Sequence, residues 1–189
     1  MLGRSFEAVL VAAVGGDEQA FARLWRDLQP AVLRYLRVVV PDVAEDVASE
    51  TWLEVVRDLR QFRGTEAGFR AWVFTIARHR ALDAQRWYGR RRSVPVAREA
   101  LIGWEAPDDP AGEAVEALET RAALAIIAQL PHDQAEVVAL RVVAGLDVEQ
   151  VAGVVRKRPG TVRVLSHRGL RRLADRLQAG RRSRGGVTP

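Results

Sequence analysis

Residues 148–175 read VEQVAGVVRKRPGTVRVLSHRGLRRLAD, and this stretch decides the fold prediction. Two segments with helical apolar spacing lie on either side of a short basic turn, RKRP, at residues 156–159. Asp147 lies three residues before Gln150, as in a capping box, and this predicts a helix that begins directly after Asp147. Pro159 suits the first turn of the next helix, where a backbone N–H has no partner. The stretch therefore predicts two helices joined by a tight turn.

The second of these helices has two distinct faces. At about 100° per residue, Val162, Gly169 and Leu173 share one face, with Leu165 at its edge. The opposite face carries Arg163, Val164, His167, Arg168 and Arg171. In a helix-turn-helix, one helix braces a second helix whose outward face enters the major groove of DNA. There, arginine can pair with guanine edges and a valine can pack on a thymine methyl group.

Positive charge is concentrated in this part of the chain. The 189 residues carry a net charge of +5, but residues 156–189 alone hold 11 basic side chains and 1 acidic one. Such a block favours a polyanionic partner. The basic residues that suit phosphate contacts are Arg156, Lys157, Arg158, Arg172 and Arg176. A solvated basic helix of a helical bundle has a similar pattern, but the short turn, the proline and the charge block favour DNA.

Composition argues against several kinds of site. The chain has no Cys, so disulfides and thiolate metal sites are excluded. The three histidines, His79, His132 and His167, are too scattered to make a good metal site. No apolar run approaches the ~20 residues of a membrane span, and the N-terminal apolar run lacks the features of a signal peptide. We therefore expect a cytoplasmic protein with no membrane insertion, no metal and no cofactor.

The rest of the chain predicts an all-α protein of two small helical domains. Strand signals are nearly absent, and apolar residues follow helical spacing almost throughout. Residues 17–40 predict two helical segments, or one helix broken near Pro30. A further helix start is predicted at residues 41–42, and RGTEAG at 63–68 predicts a glycine-bounded loop. Residues 99–120 contain seven acidic residues and no basic one, which predicts a flexible acidic linker.

Two further patterns in the first half of the chain bear on function. Asp46, Glu50 and Glu54 line one stripe of a helix, which suits a solvated face or a protein contact better than a metal site. After the glycine-bounded loop, aromatic residues alternate with arginines, a mixture that can stack on single-stranded bases. The same spacing also fits a plain hydrophobic core made of Phe69, Trp72, Val73 and Ile76.

Four segments together point to a known family. They are EQAFARLWRDLQPAVLRYL, AEDVASETWLEVVRDLRQFRG, FRAWVFTIARHRALDAQR and AQLPHDQAEVVALRVVAGLDVEQVAGVVRKRPGTVRVLSHRGLRRL. In this order and spacing, over about residues 17–92 and 121–177, they resemble bacterial sigma factors of the extracytoplasmic-function group. The resemblance implies sigma domain 2 at residues 1–92, a linker at 93–120 and sigma domain 4 with the helix-turn-helix at 121–180. The glycine- and arginine-rich tail at 181–189 is predicted to be disordered.

The resemblance also implies three functional surfaces. The helix AEDVASETWLEVVR would dock on the β′ clamp helices of core RNA polymerase through Asp46, Glu50, Leu53, Glu54 and Arg57. The loop and the helix after it would capture the melted −10 strand, with one base flipped into a pocket, through Arg63, Phe69, Trp72, Arg78, His79, Asp83 and Arg86. The helix-turn-helix would read the −35 duplex through Arg156, Lys157, Arg158, Thr161, Arg163, Val164, His167, Arg168 and Arg171.

The partners implied are core RNA polymerase (β′ clamp helices and β flap), promoter DNA and an anti-sigma protein. Three positions depart from the family pattern: Ser49 in place of Gln, His79 in place of Asn, and VLS at 164–166 in place of Ser-Arg-Leu. One rival interpretation is a helix-turn-helix regulator that is not a polymerase subunit, which has no need of the acidic helix. The other is an enzyme or metal protein, which the scattered histidines and the lack of a nucleophile–base pair disfavour.

Overall fold

The computed structural model describes residues 2–91 and 112–184, and within these ranges the chain forms helices and turns without strands. The first range contains helices α1 (Phe6–Val14), α2 (Glu18–Val39), α3 (Ala44–Asp58) and α4 (Glu66–Arg91). The second contains α5 (Gly112–Ala128), α6 (His132–Val138), α7 (Val148–Val155) and α8 (Pro159–Arg184). Short 3₁₀ turns cover Gly3–Ser5, Pro41–Val43 and Leu59–Gln61, and a π-helical turn covers Ala139–Val143. The predicted all-α class is confirmed.

Side-chain caps fix the starts of two helices. The Asp17 carboxylate accepts hydrogen bonds from the N–H groups of Gln19 and Ala20 at 2.8 and 3.0 Å, and α2 begins directly after Asp17. The Asp147 carboxylate accepts from the Gln150 N–H at 2.7 Å, while the Gln150 side chain accepts from the Asp147 N–H at 2.9 Å. This is the predicted capping box, and caps of this kind contribute about 1 kcal/mol each.

Helix α2 runs without a break through Pro30, so the expected interruption there is wrong. A proline inside a helix removes one backbone hydrogen bond and costs about 3 kcal/mol. On either side of Pro30, however, Leu28 and Val32 are buried on the same face of the helix. Burial of such side chains contributes about 1.5–3 kcal/mol each, which offsets the cost of the proline.

Three other boundaries differ from the expectations. Helix α4 begins at Glu66, inside the predicted loop, because the Thr65 hydroxyl accepts a hydrogen bond from the Gly68 N–H at 3.2 Å and so caps the first turn. Helix α5 begins at Gly112, inside the predicted linker, and α8 continues to Arg184, so residues 181–184 are helical rather than disordered. Alanine and glutamate favour helix at the start of α5, and arginine favours helix at the end of α8. Residues 92–111 and 185–189 lie outside the described residues. They contain the rest of the predicted linker and the rest of the predicted tail.

Helix α2 is the centre of the fold. It packs against α1, α3 and α4 from the first half of the chain, and against α5, α6 and the π-helical turn from the second half. Val32, Tyr35 and Leu36 of α2 are fully buried between these neighbours. The helices before and after residues 92–111 therefore share one hydrophobic core across α2.

The helix-turn-helix is braced by a close approach of α8 to α6. A Cβ atom at Gly169 would lie 2.7 Å from Cγ2 of Val138, a fully buried side chain. Only glycine permits this spacing without displacing the valine. Val162 is fully buried on the same face of α8, and Leu165 and Leu173 pack partly buried against the core, so the predicted apolar face is confirmed.

We expect Gly169→Ala to be less stable than Gly153→Ala by about 1–3 kcal/mol, the usual cost of overpacking a core. Both substitutions gain helix propensity, but a Cβ at Gly153 meets open space among the described residues, whereas one at Gly169 overlaps Val138. Urea unfolding followed by circular dichroism measures the difference. Equal stability of the two variants would show that α8 does not approach α6 this closely.

Candidate nucleic-acid and protein interfaces

Helices α7 and α8 form a helix-turn-helix whose turn is residues 156–158. Arg156 ends α7 in the left-handed conformation, at φ 55° and ψ 43°. The Lys157 N–H then donates to the Ala152 carbonyl at 3.1 Å, which closes the end of α7. The chain turns directly into Pro159, the first residue of α8, as predicted.

The face of α8 opposite Val162 is open to solvent. Exposed on it or beside it are the residues predicted to read duplex DNA: Thr161, Arg163, Val164, His167, Arg168 and Arg171. Val164 is 48% exposed, in contrast to the fully buried Val162 two positions earlier. Arg163 pairs with Glu149 of α7 at 2.9 Å, and this ion pair is itself exposed. The structure thus brings these residues together on one accessible, positively charged surface.

Two of the three turn residues have partners elsewhere in the fold. The Lys157 ammonium group donates to the Asp133 carboxylate at 3.0 Å, and this hydrogen bond holds the pKa of Asp133 below its usual range. The Arg156 guanidinium lies 3.5 Å from the Nε2 atom of His79 on α4. Arg158 is exposed beside the open face of α8.

Helix α3 carries an exposed stripe that combines apolar and acidic residues. Its members share helical spacing along one side: Asp46, Ser49, Glu50, Leu53, Val56 and Arg57. Leu53 is 71% exposed and Val56 is 53% exposed, which is unusual for large aliphatic residues at neighbouring positions. Val56 belongs to this exposed stripe although the predicted set of contact residues omitted it, and its spacing of three from Leu53 is the signal that identifies it.

Glu54 does not belong to this stripe, so its predicted place there is wrong. Its carboxylate forms an ion pair with Arg80 of α4 and lies 3.7 Å from the Arg57 guanidinium, and only 18% of its side chain is exposed. Glu54 therefore fastens α3 to α4. The helix wheel places Glu54 near Glu50, but the contact with α4 turns it away from solvent.

The residues predicted to contact single-stranded DNA differ in accessibility. Asp83 and Arg86 are exposed on α4 and form an ion pair at 3.1 Å. Arg63 is exposed in the loop before α4, where its guanidinium donates to the carbonyls of Arg60 and Phe62 at 2.7 Å. All three side chains are therefore accessible, one in the loop before α4 and two near the end of that helix.

The aromatic residues near the start of α4 form a cluster. Phe69 is only 2% exposed, with its ring 5.2 Å from that of Phe62 and 5.7 Å from those of Phe6 and Trp72. Phe69 is therefore a core residue in this structure, and its contact with a base stays a prediction. Trp72 is half-buried and lies 5.2 Å from Phe62, so it can present one edge to solvent.

Arg78 and His79, also predicted to contact DNA, face the second half of the chain. The Arg78 guanidinium donates to Glu136 of α6 at 2.8 Å through Nε and at 3.5 Å through a terminal nitrogen. The Tyr35 hydroxyl of α2 donates to the same Glu136 carboxylate at 3.3 Å. Burial, and then the negative charge of Glu136, raise the pKa of Tyr35 well above its usual value, so its hydroxyl stays protonated as a donor.

Sequence reasoning missed Glu136 altogether. The side chain is 4% exposed, although it is a carboxylate. The signal in the sequence is a single acidic residue inside the apolar run QAEVVAL. A carboxylate in a buried segment is rare unless it is paired, so this position predicts a buried partner. Its partners, Tyr35 and Arg78, are too distant in the chain for local spacing to identify them.

The described residues contain no group of three or more His, Cys, Asp or Glu side chains arranged to hold a metal ion. Likewise, no helix in the described part of the chain is long and apolar enough to cross a membrane.

We expect Val162→Ala to lower the free energy of unfolding by about 2 kcal/mol, because it removes fully buried methyl groups. Val164→Ala makes the same chemical change two residues away on the exposed face, and it should alter stability by no more than about 0.5 kcal/mol. Thermal and urea unfolding measure both. Similar losses for the two variants would contradict the orientation of α8.

Comparison with known proteins gives consistent matches. The sequence matches the family Sigma-70 region 2 over residues 24–91 and the family Sigma-70, region 4 over residues 120–173. It is 36% identical to the ECF RNA polymerase sigma factor SigD of Mycobacterium tuberculosis, over 95% of this chain and 87% of that protein. It is 35% identical to the ECF RNA polymerase sigma factor ShbA of Streptomyces griseus, over 88% of this chain and 92% of that protein.

Two solved structures share the fold. One is CnrH in complex with the cytosolic domain of CnrY, with a TM-score of 0.64 and 20% identity over 93% of this chain and 98% of that chain. The other is the sigma factor RpoE in complex with the anti-sigma factor NepR from Bartonella quintana, with a TM-score of 0.66 and 23% identity over 84% of this chain and 96% of that chain.

Proposed function

Because this chain belongs to the extracytoplasmic-function family of RNA polymerase sigma factors, we propose how its surfaces divide the work of promoter recognition. The exposed stripe of α3 binds core polymerase, α8 reads the −35 duplex, and α4 with its preceding loop holds the melted −10 strand. The single observation that carries the proposal is that α3 and α8 each expose a face whose chemistry suits its partner. These faces lie on opposite halves of one molecule, as an initiation factor requires.

The α3 stripe suits a protein partner rather than solvent alone. Leu53 and Val56 lose contact with water when another surface covers them, which favours association. Asp46 and Glu50 beside them are exposed carboxylates that can guide a basic partner and fix its orientation. A helical apolar patch with charged neighbours is therefore a good match for a helical partner such as the β′ clamp helices.

The α8 surface suits duplex DNA. Its exposed arginines can pair with base edges or phosphates, and Val164 offers an apolar contact for a thymine methyl group. The open cleft beside it is lined by Gln134, Arg168, Arg171, Arg172 and Asp175, and its three guanidinium groups extend the basic surface along the helix. The buried Val162 and the close contact at Gly169 hold this face at a fixed angle to the rest of the domain.

The −10 surface is proposed as Arg63, Trp72, Arg78, His79, Asp83 and Arg86 on α4 and its preceding loop. Half-buried Trp72 and the exposed arginines supply the aromatic and cationic groups that hold single-stranded bases and phosphates. Phe69 contributes indirectly, since its ring packs against that of Trp72 with the centroids 5.7 Å apart. We further propose a β-flap contact for residues 121–180, the domain that carries the helix-turn-helix.

An anti-sigma protein is a further proposed partner. The CnrH and RpoE structures are complexes, with CnrY and with the anti-sigma factor NepR respectively. The exposed apolar residues of α3 offer this chain a surface that an inhibitor could cover in place of polymerase. We also propose that the chain works in the cytoplasm and that its role in initiation is recognition rather than chemistry of its own.

Run-off transcription tests the proposal directly. Core polymerase from a bacterium with a GC-rich genome, a fragmented genomic library and the purified chain should yield discrete transcripts that depend on the chain. Their start sites would map the −10 and −35 elements. Absence of transcripts, together with failure to co-elute with core polymerase, would leave a helix-turn-helix regulator as the better account.

We expect Leu53→Asp to weaken binding to core polymerase by roughly 30-fold or more, as loss of a central interface residue does. The matched control is Val11→Asp, which places the same carboxylate at an equally exposed aliphatic position, 66% exposed, on α1. Co-elution and fluorescence anisotropy with core polymerase measure the effect. If both variants bind as the parent does, α3 is not the polymerase contact.

A further inference from the structure

The helix-turn-helix contains an ion pair that joins its two helices. A terminal nitrogen of the Arg163 guanidinium, on α8, donates to the Glu149 carboxylate in the first turn of α7 at 2.9 Å. The two side chains are 60% and 66% exposed, so the pair is open to solvent beside the other residues proposed to read duplex DNA. Among the described residues, Arg168 and Arg171 on the same face form no ion pair. Arg163 therefore differs from these two neighbours, because a carboxylate holds it.

Stability does not account for this pair. An exposed ion pair between two long side chains contributes little to folding, because water screens both charges and the side chains lose rotamer freedom. General attraction to DNA does not account for the pair either, because the Glu149 carboxylate has the same sign of charge as a phosphate. Its negative charge offsets the positive charge of Arg163 on a surface that attracts DNA by being positive. What Glu149 does supply is a fixed position for the Arg163 guanidinium.

The hydrogen bond leaves Arg163 able to read a base while it is held. A guanidinium has five N–H donors in one plane, and the bond to Glu149 uses one of them. A bidentate contact with the O6 and N7 atoms of guanine requires two more. An arginine that is held in one orientation loses less side-chain freedom on binding than a mobile one does, and it favours the base pair toward which it points.

We propose that Glu149 is a positioning residue that sets the base specificity of the −35 surface, by holding the Arg163 guanidinium toward one guanine of the duplex. This inference rests on the proposed function, because Arg163 is one of the residues assigned to the −35 duplex. Glu149 acts through Arg163 and makes no contact with DNA of its own.

The pair also separates two kinds of cation on α8. While Glu149 holds Arg163, the charge of Arg163 adds little to the attraction of phosphates at any sequence. Arg168 and Arg171 keep their full charge and attract DNA of every sequence. At an incorrect base pair, Arg163 would have to leave Glu149 to reach a phosphate, and the carboxylate would then face the DNA without a partner. Glu149 thus lowers the affinity for incorrect sites more than the affinity for the correct one, which is what specificity requires.

Transcription from a randomised promoter library tests this role in the complex with core polymerase. The templates carry random bases in the −35 element mapped by run-off transcription, and the transcripts are sequenced. Arg163→Ala should abolish the preference for guanine at one position, which identifies the base pair that Arg163 reads. Glu149→Gln keeps the side-chain shape but removes the charge. It should lower the preference at that same position roughly threefold, in the range expected for loss of an exposed ion pair.

Two further variants make the result specific. Asp175→Asn removes an equal charge from an exposed position of α8 that does not pair with Arg163, so it should change transcription equally for all bases. The double variant Glu149→Gln with Arg163→Ala should lose no more preference than Arg163→Ala alone, because Glu149 acts only through Arg163. An unchanged preference in Glu149→Gln, or a loss of preference at a different position, would overturn the inference.

A measurement on the free, full-length chain separates this inference from the proposed function. Nuclear magnetic relaxation of the arginine Nε atoms should show that the Arg163 side chain is more ordered than that of Arg168 in the parent, and equally mobile in Glu149→Gln. If Arg163 is as mobile as Arg168 in the parent, the inference fails even when transcription succeeds. If the parent yields no transcripts with core polymerase, the proposed function fails, and the inference fails with it whether or not Arg163 is ordered.

Discussion

The apolar stripe of α2 is the constraint on which the rest of the structure depends. Val32, Tyr35 and Leu36 lie on it fully buried, and helices from both halves of the chain are needed to cover it. Because Tyr35 brings a hydroxyl into this core, the covering helix must supply an acceptor, and Glu136 does so. The Glu136 charge in turn requires a cation, which is Arg78. The hydroxyl of Tyr35 thus requires a hydrogen-bond network that joins α2, α6 and α4.

The helix-turn-helix could be predicted from sequence because its determinants are local. The Asp147–Gln150 capping box, the start of α8 at Pro159 and the burial of Val162 all depend on residues within one or two helical turns. Interactions at that range follow directly from helix geometry. The close contact of Gly169 with Val138 was not predicted as a contact, since the valine belongs to another helix.

The packing of the first half could be predicted only in part. Along α3, Trp52 and Val55 are buried while Leu53 and Val56 are exposed, so two apolar stripes lie side by side. Periodicity shows that the helix is amphipathic but cannot say which stripe faces its own core. The same limit explains Phe69, whose aromatic ring fits a core and a base-stacking site equally well on sequence grounds. Only its burial decides between them.

Two residues show how the fold treats side chains that depart from ordinary burial. Leu53 is an exposed leucine, and Glu136 is a buried glutamate. Each arrangement is unfavourable without a partner: the leucine leaves apolar surface in water, and the carboxylate requires a cation. Glu136 has its partners, Tyr35 and Arg78, within the molecule, whereas Leu53 is not buried against any described helix. The fold therefore satisfies the buried charge by itself and leaves Leu53 in water, where the polymerase contact proposed above would cover it.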